Sequence, residues 1–82
     1  MKELLVFSAP WSTACQPYKK TLLDVSLANE TVLIIDVDED PETAAKYQIR
    51  SVPTSILLVD GVIHRRKTGA MQLDQLKEFI KT

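Results

Sequence analysis

The segment TSILLVDGVIHRRKT, residues 54–68, constrains the fold more than any other stretch of the chain. Two strand-like runs flank Asp60-Gly61, a dipeptide suited to a two-residue type I′ turn. A turn that tight joins antiparallel neighbours in one sheet. Every other element has to be placed around this hairpin.

Glu3–Phe7 (ELLVF) is short, apolar and flanked by polar residues, the pattern of a buried strand. Ser8-Ala9-Pro10 ends it. From Thr13 to about Ala28, Cys15, Tyr18, Leu22 and Val25 recur at helical spacing, and Leu23 and Leu27 widen the stripe. Thr31–Val37 (TVLIIDV) is β-branched and nearly continuous, which predicts a central strand. Asp40 is placed to cap a short helix that opens on Pro41 and stops near Tyr47. After the hairpin, Gly69 breaks the chain. QLDQLKEFIK then predicts a helix with Leu73, Leu76, Phe79 and Ile80 on one face.

The order is β-α-β-α-β-β-α. Strands joined by a helix lie parallel with a right-handed crossover, and the hairpin adds two antiparallel strands. The expected fold is therefore α/β, with a four-stranded mixed sheet and helices on both faces. At 82 residues, without repeats, low-complexity segments or linkers, residues 1–82 are expected to form a single domain.

Charge and cysteine content narrow the function. A net charge of −1 argues against a nucleic-acid surface. One cysteine excludes an intramolecular disulfide. The apolar run near the N-terminus is too short for a signal peptide or a membrane span. A cytoplasmic, reducing setting and a monomer without cofactor are expected. The glycines, Gly61 and Gly69, form no phosphate-binding loop. Cys15 and His64 do not suffice for a metal site. The acidic run Asp36, Asp38, Glu39, Asp40 reads as helix capping and a solvated loop rather than a cation site. The basic run His64-Arg65-Arg66-Lys67 reads either as the charged guard of an edge strand or as an anion-binding surface.

Four residues are candidates for chemistry. Cys15 is either a small buried hydrophobe or a thiol activated by a helix N-terminus. Ser12, three residues earlier, is the natural N-cap, its hydroxyl accepting from the Ala14 or Cys15 N–H and leaving Cys15 one turn in. Pro53 stands immediately before a strand, where a trans peptide bond is the ordinary state. Trp11, the only tryptophan, is either packed on the helix start or partly exposed beside a groove that suits peptide contact.

Three separated motifs resemble the thioredoxin family in the right order. APWSTACQ is similar to its A-x-W-C-x-x-C-K/R site, with Trp11 at the tryptophan, Ser12 at the first cysteine and Cys15 at the second. DVDEDPETAAKYQIRSVPTSILL resembles its middle segment, including D-x-x-P, K-Y-x-I-R and the V/I-P-T loop. KTGAMQLDQLKEFI resembles its last helix and the glycine before it. The family's usual extra N-terminal β-α unit has no counterpart here, so the chain resembles a trimmed, glutaredoxin-sized version.

The resemblance implies a thiol–disulfide oxidoreductase acting on protein or small-molecule disulfides, served by a reductase. It implies a cis Val52–Pro53 bond and a shallow groove lined by Trp11, Val52 and the Gly69-Ala70 turn. An extended peptide would pair there with Val52. It also makes Ser12 the place of the nucleophile and Cys15 the resolving thiol. A hydroxyl does not attack sulfur usefully at neutral pH, so the Ser12 form is expected to be redox-inactive. One reading takes Ser12 as an engineered replacement in a parent carrying WCTAC. The alternative takes the serine as native, in a non-catalytic module that docks extended peptides beside Val52-Pro53.

Two further departures concern a charged pair of the family. The family's buried acid corresponds to Val6, and the lysine that usually neighbours it corresponds to Ile34. Losing both together avoids a stranded buried charge. Pro17 is expected to remove one backbone hydrogen bond and kink the first helix.

Overall fold

In a computed structural model, which describes residues 2–24 and 30–81, the elements follow the expected order. They are β1 (Lys2–Ser8), α1 (Cys15–Asp24), β2 (Glu30–Asp36), α2 (Pro41–Lys46), β3 (Thr54–Val59), β4 (Val62–Thr68) and α3 (Leu73–Phe79). The strands form one mixed α/β sheet in the order β2-β1-β3-β4. β1 and β2 are parallel, and β1–β3 and β3–β4 are antiparallel.

The pleat of β1 explains a two-sided core. Successive side chains point to opposite faces, so Leu4 and Val6 face one way and Leu5 and Phe7 the other. All four are buried. α1 and α3 close the first face with Tyr18, Leu22, Leu76 and Ile80. α2 closes the second, where Ala44 and Tyr47 meet Phe7, Ile56 and Leu58. A strand covered on both faces reads as a continuous apolar run, as ELLVF does.

β2 corrects one expectation. It lies at the sheet edge, not in the centre, and its Leu33 and Ile34 are each 45% exposed. Apolar continuity reports burial tendency, whereas strand order depends on which neighbours pair, and β1 takes the place between β2 and β3. The helical stripes are also narrower than expected. Leu23 is 84% exposed and Leu73 lies on the margin of α3, so Tyr18 and Leu22 anchor α1 while Leu76 and Ile80 anchor α3. Val25, Leu27 and Ala28 lie outside the described residues.

Asp60 (φ 52°) and Gly61 (φ 84°) both take positive φ, as a type I′ turn requires. The β3–β4 register shifts between Leu57 and Leu58 and passes over His64, a bulge that interrupts the free edge. The basic run on β4 has a specific use. Arg65 donates to the carbonyls of Glu78 (3.0 Å) and Phe79 (3.1 Å), at the end of α3. Arg66 donates to the carbonyls of Tyr47 and Gln48 (2.8 Å), at the end of α2. Adjacent arginines thus point to opposite faces and satisfy orphan carbonyls at two helix C-termini, where cations are favoured.

α2 ends in a Schellman arrangement. The Ile49 N–H donates to the Ala44 carbonyl (2.9 Å) and the Gln48 N–H to that of Ala45 (3.0 Å). Gln48 sits at φ 56°, a conformation that disfavours a residue with a Cβ. Gln48→Gly is expected to stabilise the protein by about 0.5–1 kcal/mol, because relief of that strain exceeds the added unfolded-state entropy. A rise in the midpoint of urea unfolding at unchanged slope checks this.

Candidate functional site

β1 delivers the chain to a turn over the start of α1. The Ser12 N–H donates to the Ala9 carbonyl (3.2 Å), and the Cys15 N–H donates to the Ser12 carbonyl (3.3 Å). Cys15 is therefore the first residue of α1, not one turn in, and Ser12 contributes its carbonyl rather than its hydroxyl. The cause is the tight i→i+3 turn, which takes the donor that a side-chain cap would have used. Pro17 then falls at the third helical position, inside the turn whose N–H groups have no intrahelical partner. It removes no helical bond, contrary to the expected loss.

Cys15 is 1% exposed and free. Trp11 beside it is 66% exposed, yet it is held: its indole Nε1 donates to Asp38 Oδ2 at 2.9 Å. Asp36 orders that acceptor, since its Oδ1 accepts from the Asp38 N–H at 2.8 Å. Asp40 caps α2, accepting from the Thr43 N–H at 3.2 Å. The acidic run is thus divided among a turn, a tryptophan and a cap. Among the described residues, no cluster of His, Cys, Asp and Glu is arranged to hold a metal ion. Asp38→Ala is expected to free the Trp11 ring and shorten its rotational correlation time in fluorescence anisotropy decay. The expected stability loss is under about 1 kcal/mol, because the bond is exposed.

Ahead of β3, the Val52–Pro53 peptide bond is cis, and Pro53 is buried. The Gly69 N–H donates to the Pro53 carbonyl at 2.8 Å, with Gly69 at φ 96°. Trp11 and Val52 line one cavity of about 120 Å³ together with Val37, Ile49, Arg50 and Ser51. Gly69 joins the arrangement through Pro53, while Ala70 is exposed and lies outside that lining. The sequence does not single out Val37, Ile49 or Arg50, and it offers Asp38 only as part of a solvated acidic run. The K-Y-x-I-R segment carried the signal for Ile49 and Arg50, but nothing in it marks a cavity wall. A larger groove of about 660 Å³ runs between β4 and α3, past Arg65, Met71 and Phe79. It includes neither Cys15 nor Pro53, and its Arg65 is engaged on α3.

The core under α1 contains a buried polar pair. The Tyr18 hydroxyl and Ser55 Oγ lie 2.6 Å apart, both buried. Val6 and Ile34, the positions of the absent acid and lysine, are direct partners in the β1–β2 register. Burial pushes the Tyr18 hydroxyl above the ordinary 10.0, and the bond to Ser55 offsets part of that rise. The unfolded state therefore ionises first. This contribution to stability is complete below about pH 10 and is lost as pH rises through the folded value. Thermal melts between about pH 8 and 11.5 are expected to decline above pH 10, and less steeply in Tyr18→Phe.

Sheet, turn and loop together define a class of small α/β proteins with a cysteine at the start of the first helix and a cis-proline loop ahead of the third strand. The thioredoxin family model matches residues 1–82. A thioredoxin of Buchnera aphidicola is 35% identical over 80 residues, spanning 94% of this chain and 73% of that protein. The thioredoxin of Bacillus subtilis (strain 168) is 35% identical over 77 residues, spanning 90% and 74%. Among solved structures, a mutant thioredoxin from Halobacterium salinarum superposes with a TM-score of 0.83 at 35% identity, covering 96% of this chain and 71% of that one. Fasciola hepatica thioredoxin superposes with a TM-score of 0.85 at 30% identity, covering 96% and 77%. The chain belongs to the thioredoxin family. Membership supports a thiol–disulfide oxidoreductase-like function, with protein disulfides as substrates and a reductase as partner. Among the described residues, no helix is long and apolar enough to cross a membrane.

Proposed function

We propose that residues 1–82 form a single thioredoxin-like domain in which Ser12 occupies the place of the attacking thiol and Cys15 that of the resolving thiol. Trp11, Val52, Pro53, Gly69 and Ala70 form the docking surface. With serine at position 12 the site docks disulfide substrates and does not turn them over. The observation that carries this reading is the turn itself. The Cys15 N–H bonded to the Ser12 carbonyl makes residues 12 and 15 the ends of a closed four-residue turn. Such ends lie under about 7 Å apart at Cα, within the span of a disulfide.

With a thiol at position 12, the reaction balances. Its thiolate attacks one sulfur of a substrate disulfide, forming a mixed disulfide and expelling a substrate thiolate. The Cys15 sulfur, after losing its proton, attacks the position-12 sulfur and releases the second substrate thiol. Two electrons pass to the substrate, and the protein keeps an intramolecular disulfide for a reductase to reopen. Among the residues whose burial is described, the buried polar side chains are those of Ser8, Thr54 and Ser55 with the Tyr18 hydroxyl, and none is a carboxylate that could take the Cys15 proton. The departing substrate thiolate and water are left as acceptors. The test is insulin reduction in dithiothreitol, comparing the Ser12 protein with Ser12→Cys. Activity of the variant alone supports the proposal, and robust activity of the Ser12 protein defeats it.

A further inference from the structure

The two halves of the proposed site ride on different elements. The Ser12–Cys15 turn leads α1, and the Val52–Pro53 loop leads β3. One side-chain hydrogen bond spans them. Tyr18, three residues beyond Cys15, meets Ser55, two residues beyond Pro53, at 2.6 Å. Among the described residues, no other side-chain hydrogen bond joins α1 to β3. Tyr18 is 2% exposed and Ser55 0%, so water does not compete for either hydroxyl. Ser55 faces Val6 in the β1–β3 register, and Val6 packs with Tyr18, so the pair lies under the helix rather than at its margin. Helical side chains lean toward the N-terminus, which aims the Tyr18 ring back toward the Cys15 turn.

From this geometry we infer that the Tyr18–Ser55 pair is a positioning brace that sets the distance between the Ser12–Cys15 turn and the Val52–Pro53 loop. The inference rests on the roles proposed above for those residues. An apolar contact at the same place would tolerate sliding of the helix over the sheet, whereas a buried hydrogen bond fixes both distance and direction. A phenol that ordinarily titrates near 10.0, pushed higher by burial, stays protonated across the physiological range, so the brace does not depend on pH there. A buried tyrosine needs a partner in any case. The brace differs from simple satisfaction of that need in what its loss would move.

Tyr18→Phe, Ser55→Ala and the double variant in the full chain test it by two readouts. The first is the rate at which a neutral maleimide labels native Cys15. Each single change is expected to raise it about tenfold, the local-opening equivalent of one lost buried hydrogen bond. The double variant is expected to label no faster than the singles, since either one already removes the interaction. Ser55→Thr, which keeps the hydroxyl, is expected to label at the parent rate. Leu58→Val, at the far end of β3, controls for general loss of stability. The second readout uses the Ser12→Cys background and a disulfide peptide. There each single change is expected to raise KM about tenfold with kcat within about twofold. Labelling no faster than Leu58→Val, or a fall in kcat at constant KM, overturns the brace. If Ser12→Cys reduces nothing, the functional reading fails, and the labelling arm still decides the brace.

Discussion

Ser12→Cys is expected to turn a protein that does not reduce disulfides into one that does, with a gain of at least about 100-fold in insulin reduction. An ordinary thiol has a pKa of about 8.5 and is a few per cent ionised at neutral pH, whereas a serine hydroxyl offers no useful nucleophile toward sulfur. Position 12 lies just ahead of α1, where free N–H groups and the macrodipole favour an anion. The introduced thiol should therefore ionise more readily than a free one. Its partner is already in place, because the backbone turn that presents residue 12 to Cys15 does not depend on the serine hydroxyl. Air or a mild oxidant is expected to give an intramolecular bridge, seen as a loss of two hydrogens in intact mass. That bridge closes a short loop, so its stabilising effect is limited to about 2 kcal/mol. A variant that forms the bridge and yet leaves insulin intact would point instead to a docking module without turnover.

Legibility in the sequence follows how local each signal is. Asp60-Gly61 could be read because a two-residue hairpin turn needs positive φ at both positions, and few dipeptides supply it. Asp40-Pro41 could be read because a cap acts over three residues. The edge position of β2 could not. Its apolar run matches a central strand, and only the pairing of β1 with β3, about fifty residues apart, assigns it to the margin. The start of α1 is not legible either, for a subtler reason. Ser12 has two acceptors, and composition does not say which of them the turn will use.

The same division runs through the site. Trp11, Cys15 and Pro53 could be located because they sit in short family-like motifs. Asp38, 27 residues from Trp11, could not be paired with it from sequence. Nor could Ser55 with Tyr18, separated by 37 residues. Arg65 and Arg66 read as generic edge charge, because the carbonyls they satisfy belong to two helices that the sheet brings to opposite faces. Motifs reveal which residues a site contains. The ties that hold them in place are long-range and emerge only with the register.

Native Cys15 is expected to react with maleimide on the order of 10²–10³ times more slowly than the same thiol in urea-unfolded protein. The thiol is 1% exposed, so reagent reaches it only when the site opens. Global unfolding of a domain this size would cost several kcal/mol and would protect it further still. Cys15, however, is the first residue of α1, where helices fray, and its N–H bond to Ser12 is long at 3.3 Å. Local opening of that turn should therefore set the rate. Labelling should change little with urea until the unfolding transition itself, because fraying exposes little surface. A rate that climbs with urea from the outset would mean that the whole domain must open, and that the helix start is more firmly held than its geometry implies. Labelling of the native protein as fast as a free peptide thiol would be the more damaging result. It would turn Cys15 outward, away from the loop at Pro53. Residues 12 and 15 would then no longer share the inward side of the turn, and a thiol introduced at position 12 would find no partner to close on.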